Sequence, residues 1–150
     1  MAEETYTPLL SEVLTKVNNA KNKGQKVKIL KDNYSEALKQ ILIWSFDPNI
    51  ESALPSGKPP YIENDAPDGT EHTRLQTEYR NLYYFVKGGY DSLQSLKREQ
   101  IFVRLLESLH KDEAELLINT KDKKLHQIYK GLSKEVVKEA IGLDDNFKVI

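Results

Sequence analysis

Cysteine is absent from the 150 residues, which excludes disulfides, thiolate metal sites and a cysteine nucleophile. Apolar runs such as residues 41–44 are far shorter than the roughly 20 residues needed to cross a bilayer. Residues 1–8 carry neither a basic n-region nor an apolar h-region, so no signal peptide is expected. Neither sign of charge dominates. Charged residues make up 30% of the chain yet the net charge is only −1, which argues against a nucleic-acid coat and leaves room for a local basic face. His72, His110 and His126 are scattered, without the i, i+4 pair of a helical zinc site. There is no phosphate-cradling glycine loop and no nucleophile elbow. These absences weigh against an enzyme, and no cofactor or resident metal is expected.

What is present is helical periodicity. The densest apolar repeat lies within residues 99–124, where Ile101, Phe102, Leu105, Leu106 and Leu109 share one helical face. A polar knot at residues 108–112 interrupts it, and Ala114, Leu116, Leu117 and Ile118 resume it. This spacing predicts a helical hairpin on which the other helices pack. Asp112 and Glu113 would complement the dipole of its second helix, and His110 is placed to cap it. Upstream, Thr7 and Pro8 suit a cap and a first helical position for a stripe of Leu9, Leu10, Val13, Leu14 and Val17. Lysines 21, 23, 26, 28 and 31, interleaved with Val27, Ile29 and Leu30, read as the solvated face of a short helix rather than a phosphate patch. Ser35 caps a helix that is apolar nearly all round, so Trp44 is expected in the core. Ser133 caps a last short helix, with Leu132 poised to staple to Val137, and Gly142 ends it.

Residues 47–70 hold five of the six prolines and an excess of acid. So long a connection is uncommon inside one domain and is usually functional or disordered. Ile50, Leu54, Tyr61 and Ile62 give it apolar points with which to strap onto the body, and Leu54, Pro59, Pro60 and Tyr61 are candidate partner contacts. Asp65, Asp68, Glu71 and His72 around Gly69 suggest a calcium loop, but the spacing fails, since Ala66 and Leu75 occupy ligand positions. A turn and helix start is the better reading. From about residue 70 the pattern predicts a helix to Val86, closed by Gly88 and Gly89. Four of the eight tyrosines crowd residues 79–90. Of these, Tyr83, Tyr84 and Tyr90 are candidates for an interface, against the alternative of a half-buried helix flank. Past Thr120 the chain turns basic. Lys121, Lys123, Lys124, Lys130 and Lys134 could contact phosphates, although Asp122, Glu135 and Glu139 work against it.

Several phrases occur together: Phe46 to Ile50, Leu54 to Tyr61, Asp65 to Thr73, Phe85 to Gly89, Leu105 to Leu117, Lys121 to Lys124 and Tyr129 to Leu132. In this order they resemble a family of small proteins encoded by T4-like tailed phages that infect cyanobacteria and other marine bacteria. The likeness spans about residues 10–141. It implies phage origin and synthesis in the host cytoplasm, with incorporation into the virion as one outcome, and it carries no catalytic residue with it. The combined reading is one all-α domain over residues 1–150, a compact bundle of about six or seven helices with a proline-rich loop at 47–70. Residues 1–6 and 143–150 are expected to be loosely held tails. The expected function is non-enzymatic protein–protein contact with a virion or host protein and no membrane. The alternative is nucleic-acid binding through residues 121–138.

Overall fold

A computed structural model describes residues 9–62 and 73–144. Six helices of eight residues or more carry the architecture: α1 (Leu10–Asn19), α2 (Lys23–Asp32), α3 (Glu36–Phe46), α5 (Ser95–Ser108), α6 (Lys111–Lys121) and α8 (Lys134–Ile141). Two single-turn helices, α4 (Leu75–Glu78) and α7 (Leu125–Ile128), and a 3-10 helix (Tyr79–Phe85) complete it. Among the described residues there is no strand, and Ser52 and Val86 form an isolated antiparallel bridge. The fold is all-α, as the periodicity predicts. Single turns are too short to leave a sequence period, which is why the helices outnumber the expected six or seven.

The hub is not the α5–α6 hairpin alone. α6 packs on α1, α3, α5 and α7, whereas α3 packs on α4, α6, α8 and the 3-10 helix. α3 therefore shares the centre, in keeping with its apolar circumference: Leu38, Ile41, Leu42 and Trp44 are all buried. Each such side chain contributes about 1.5–3 kcal/mol when fully removed from water. The predicted caps hold at three starts. Ser35 Oγ accepts from Leu38 N–H, Ser133 Oγ from Val136 N–H, and His110 Nδ1 from Asp112 N–H. The basic face of α2 is solvated, with Val27 and Leu30 turned inward. Gly142 ends α8 at φ +79°, and its N–H and that of Leu143 both donate to Lys138 O. Leu143 is buried, so the last helix is anchored one residue further than the expected tail.

Carboxylates receive the first described amides of α1. Thr7 and Pro8 lie outside the described residues, and the helix begins at Leu10, with Glu12 Oε1 accepting from Leu9 N–H at 3.1 Å. Leu10 N–H donates to Glu113 Oε2 at 3.1 Å, and Leu75 N–H, opening α4, donates to Glu113 Oε1 at 3.0 Å. Glu113 is 0% exposed. One carboxylate thus receives the orphan amides of two helices while sitting in the first turn of a third, where the positive dipole ends favour it.

The predicted helix to Val86 is corrected. α-Helix gives way to 3-10 helix at Tyr79, and the chain is extended at Val86. Ala53 N–H donates to Phe85 O and Lys87 N–H to Glu51 O, each at 2.8 Å. Pairing with the strap needs extended backbone there, and a run of aromatic and β-branched residues has little helical preference to oppose it. Gly88 takes φ +89°. At Gly89 a Cβ would lie 2.0 Å from the carbonyl oxygen of Tyr83. Gly89→Ala is expected to cost about 1–3 kcal/mol, because backbone rather than a side chain must move. Urea unfolding followed by near-UV circular dichroism of the tyrosines checks this.

Candidate interaction site

The strap, residues 47–62, is held to the body by side chains of α5 and α6. Lys121, whose side chain is 1% exposed, donates through Nζ to Pro55 O (2.8 Å), Gly57 O (3.0 Å) and Asp122 Oδ1 (2.5 Å). Asp122 Oδ2 accepts from Gly57 N–H at 3.0 Å. Lys58 Nζ meets Glu115 Oε1 at 2.7 Å and lies 5.5 Å from the centre of the Tyr61 ring. Ile62 N–H donates to Glu107 Oε2 at 2.9 Å. Trp44 Nε1–H donates to Ser52 Oγ, which donates to Lys121 O. Leu54 is buried, and Ile50 and Tyr61 pack partly buried against the core. Ile62 does not serve as a strap point, being 80% exposed: it is held by its backbone, not by its side chain.

Between this strap and α5 runs a groove of about 640 Å³. Leu54, Pro59 and Pro60 form one wall, and Phe102, Val103 and Arg104 the other. Phe102 and Leu54 are buried, so the floor is apolar. Its volume lies in the range of pre-formed ligand sites. Three of the four loop residues named from the sequence therefore come together; Tyr61 instead lies beneath the Lys58 ammonium.

The tyrosine face is a second surface. The rings of Tyr83 and Tyr84 are 4.4 Å apart, Tyr84 and Tyr90 5.6 Å, and Tyr83 and Tyr90 6.5 Å. Tyr83 is 43% and Tyr90 42% exposed. Arg98 holds their backbone in place. Its guanidinium, buried within α5, donates to Tyr84 O, Tyr90 O and Leu93 O. Beside them a smaller apolar hollow of about 210 Å³ is lined by Ile43, Trp44, Ile50, Leu82, Tyr83 and Val86.

The basic region divides. Lys121 is corrected to an interior role, and Lys123 is partly buried, with its ammonium turned to the carbonyl end of α3. Lys123 sits at φ +59°, the left-handed position that follows α6. Lys123 N–H donates to Thr120 O and Lys124 N–H to Asn119 O, a Schellman closure that usually takes glycine. The lysine is kept there by its ammonium, which donates to Trp44 O (2.8 Å) and Asp47 O (2.7 Å) at the carbonyl end of α3. Burial pushes its pKa down, while the charges of Asp47 and Glu51 push it up. Lys124, Lys130 and Lys134 are exposed.

Tyr129, behind α7, is raised above the usual value near 10, by burial first and then by the charge of Asp112, against a bond to Thr15 that lowers it. A raised phenol contributes stability that is complete below pH 10 and lost as pH climbs through the folded value. Tyr129→Phe is therefore expected to retain more of its neutral-pH stability above pH 10 than wild type, as read by urea midpoints from pH 8 to 11.

Glu113 and Arg98 carried different signals in the sequence. Glu113 falls on the buried stripe of Leu109, Leu117 and Thr120, so a charge on an apolar face was visible. Arg98 has exposed neighbours and gave none. Asp65, Asp68, Glu71 and His72 lie outside the described residues; among those described, no group of His, Asp or Glu is placed to hold a metal. No described helix is long and apolar enough to cross a membrane.

The chain belongs to a family of unknown function, DUF6433, whose model matches residues 13–127. That span contains the strap, the tyrosine face and α5. No curated protein and no solved structure matches the chain.

Proposed function

We propose that this is a phage-encoded interaction protein that works through protein–protein contact rather than catalysis, its partner a virion component or a host protein. The host cytoplasm is where it would act, or be taken into particles. One observation carries the reading: the groove is formed in advance, walled by Leu54, Pro59, Pro60 and Val103, while the charges around it already hold the strap. Rigid apolar concavities lower the ordering cost of binding an extended segment. The partner is a peptide segment with one large apolar anchor, its flanking charges met by exposed Glu99 and Arg104 on the rim. The tyrosine face extends the contact, since aromatic side chains dominate binding energy at interfaces.

The test places a photo-crosslinking residue at Val103, at Tyr83 and, as a control, at Lys28 on the solvated face of α2, in phage-infected cells. One shared protein crosslinked from 103 and 83 but not from 28, and lost on Val103→Glu, is the expected result. Identical products from all three positions would refute the reading. Mass spectrometry of purified particles then separates a virion component from a host-directed factor. Against the nucleic-acid alternative, Lys121 is buried under the strap and Glu139 on α8 faces Lys23 at 3.7 Å.

A further inference from the structure

At the carbonyl end of α3 lies a hollow of about 460 Å³ that shares no residue with the strap groove. Three segments build it: Ser45 from α3, Lys123 and His126 from the α6–α7 turn and α7, and Lys130, Ser133 and Lys134 from the approach to α8. Four basic side chains line it, and no acidic one is among the described lining residues. Phe46 sets the His126 ring in place, edge to face at 6.3 Å.

Ser45 is the unusual member. A serine or threonine inside a helix ordinarily gives its hydroxyl to the carbonyl four residues back. Thr15, Ser108 and Thr120 do so here, at 2.8–2.9 Å, whereas Ser11 and Ser45 do not, and of those two only Ser45 lines this basic hollow. Ser45 is 6% exposed, and its Oγ has no hydrogen-bond partner. Buried hydroxyls are rarely left so, and each needs a reason. Two further donors adjoin it. The Lys123 ammonium is fixed by two carbonyls, which leaves its third hydrogen for another acceptor. The positive end of the α8 dipole closes the hollow at Ser133 and Lys134, where anions are favoured.

We propose that this hollow binds a single phosphate group, either as inorganic phosphate or as the terminal phosphate of a small phosphomonoester. A tetrahedral dianion offers several acceptor oxygens to donors arriving from three sides: the Ser45 hydroxyl, the Lys123 ammonium, and the Lys130 and Lys134 ammoniums from solvent. It also offsets the burial of Lys123, whose charge is otherwise met only from the Asp47 and Glu51 side. A strand of nucleic acid is the poorer fit. Tracking successive phosphates needs a stripe of charge, and here Glu135 and Glu139 interrupt the lysines of α8.

Calorimetric titration of the full chain tests this, with inorganic phosphate, adenosine monophosphate, and chloride at matched ionic strength. Saturable phosphate binding with Kd on the order of 1 mM or tighter is expected. Ser45→Ala should weaken it about tenfold, the worth of a hydrogen bond to a charged group. Its melting temperature should stay at the wild-type value, because the hydroxyl has no partner in the protein. The pair Lys130→Gln with Lys134→Gln should abolish binding, and the pair Lys28→Gln with Lys31→Gln on α2 should leave it unchanged. Tighter binding of adenosine monophosphate identifies a phosphomonoester as the source; equal binding identifies free phosphate. Heats equal to those of chloride, indifference to Ser45→Ala, or equal loss in the α2 pair would each overturn the proposal. So would binding of labelled single-stranded DNA that excess phosphate does not compete. None of these outcomes depends on the strap groove.

Discussion

Glu113→Ala is expected to lower the unfolding free energy by about 3–5 kcal/mol, the range found when one member of a buried charged arrangement is removed. The carboxylate takes the opening amides of α1 and α4 and is wholly buried. Alanine leaves two buried donors without acceptors, and the gap is too far from solvent for easy repair. For a chain of this length the melting temperature should fall by about 6–20 °C. Glu113→Gln should lose less, since its amide keeps one acceptor oxygen, but its NH2 would face a backbone donor. Thermal and urea unfolding of both variants check this. A drop in Tm of no more than about 2 °C for the alanine variant would mean that the carboxylate does not organise these helix starts.

Lys121→Met is the second large effect. Methionine keeps most of the buried stem while removing the ammonium, and with it the bonds to Pro55 O, Gly57 O and Asp122. Asp122 is left partly buried with only the Gly57 amide among these partners, so a cost of about 3 kcal/mol is expected. The loss should be local as well as global. Amide exchange at Gly57 should quicken, and protease should cut within residues 55–60, while α1 and α2 stay protected. Combining the change with Asp122→Asn separates the ion pair from the carbonyl bonds: near-additive losses would show that the two residues act independently.

The sequence announced those features whose cause is local. The apolar stripes of α1, α5 and α6, the caps at Ser35, His110 and Ser133, and the stop at Gly142 all follow from residues within one or two turns of each other. Features fixed by distant pairing were misread. Tyr79 to Val86 kept a helical period, yet pairing with Glu51 to Ala53 drew the chain out of it. Lys121 and Lys123 looked like a basic surface because a lysine's sequence neighbours do not show whether a free carbonyl lies within reach of its ammonium. Of the groove, the Leu54, Pro59 and Pro60 wall is marked by the unusual length of its loop. The opposing wall, Phe102 and Val103, was visible only as helix stripe. Arg98 had no signal at all.

The indole of Trp44 is the only one in the chain, and its N–H is bonded to Ser52 in the strap. Nature has thus placed a single fluorophore at the seam between the bundle and the segment that walls the groove. Its emission, quiet in colour while the seam is dry, shifts to the red when water enters. Strap seating is therefore readable by intrinsic fluorescence, without a label and on the unaltered protein.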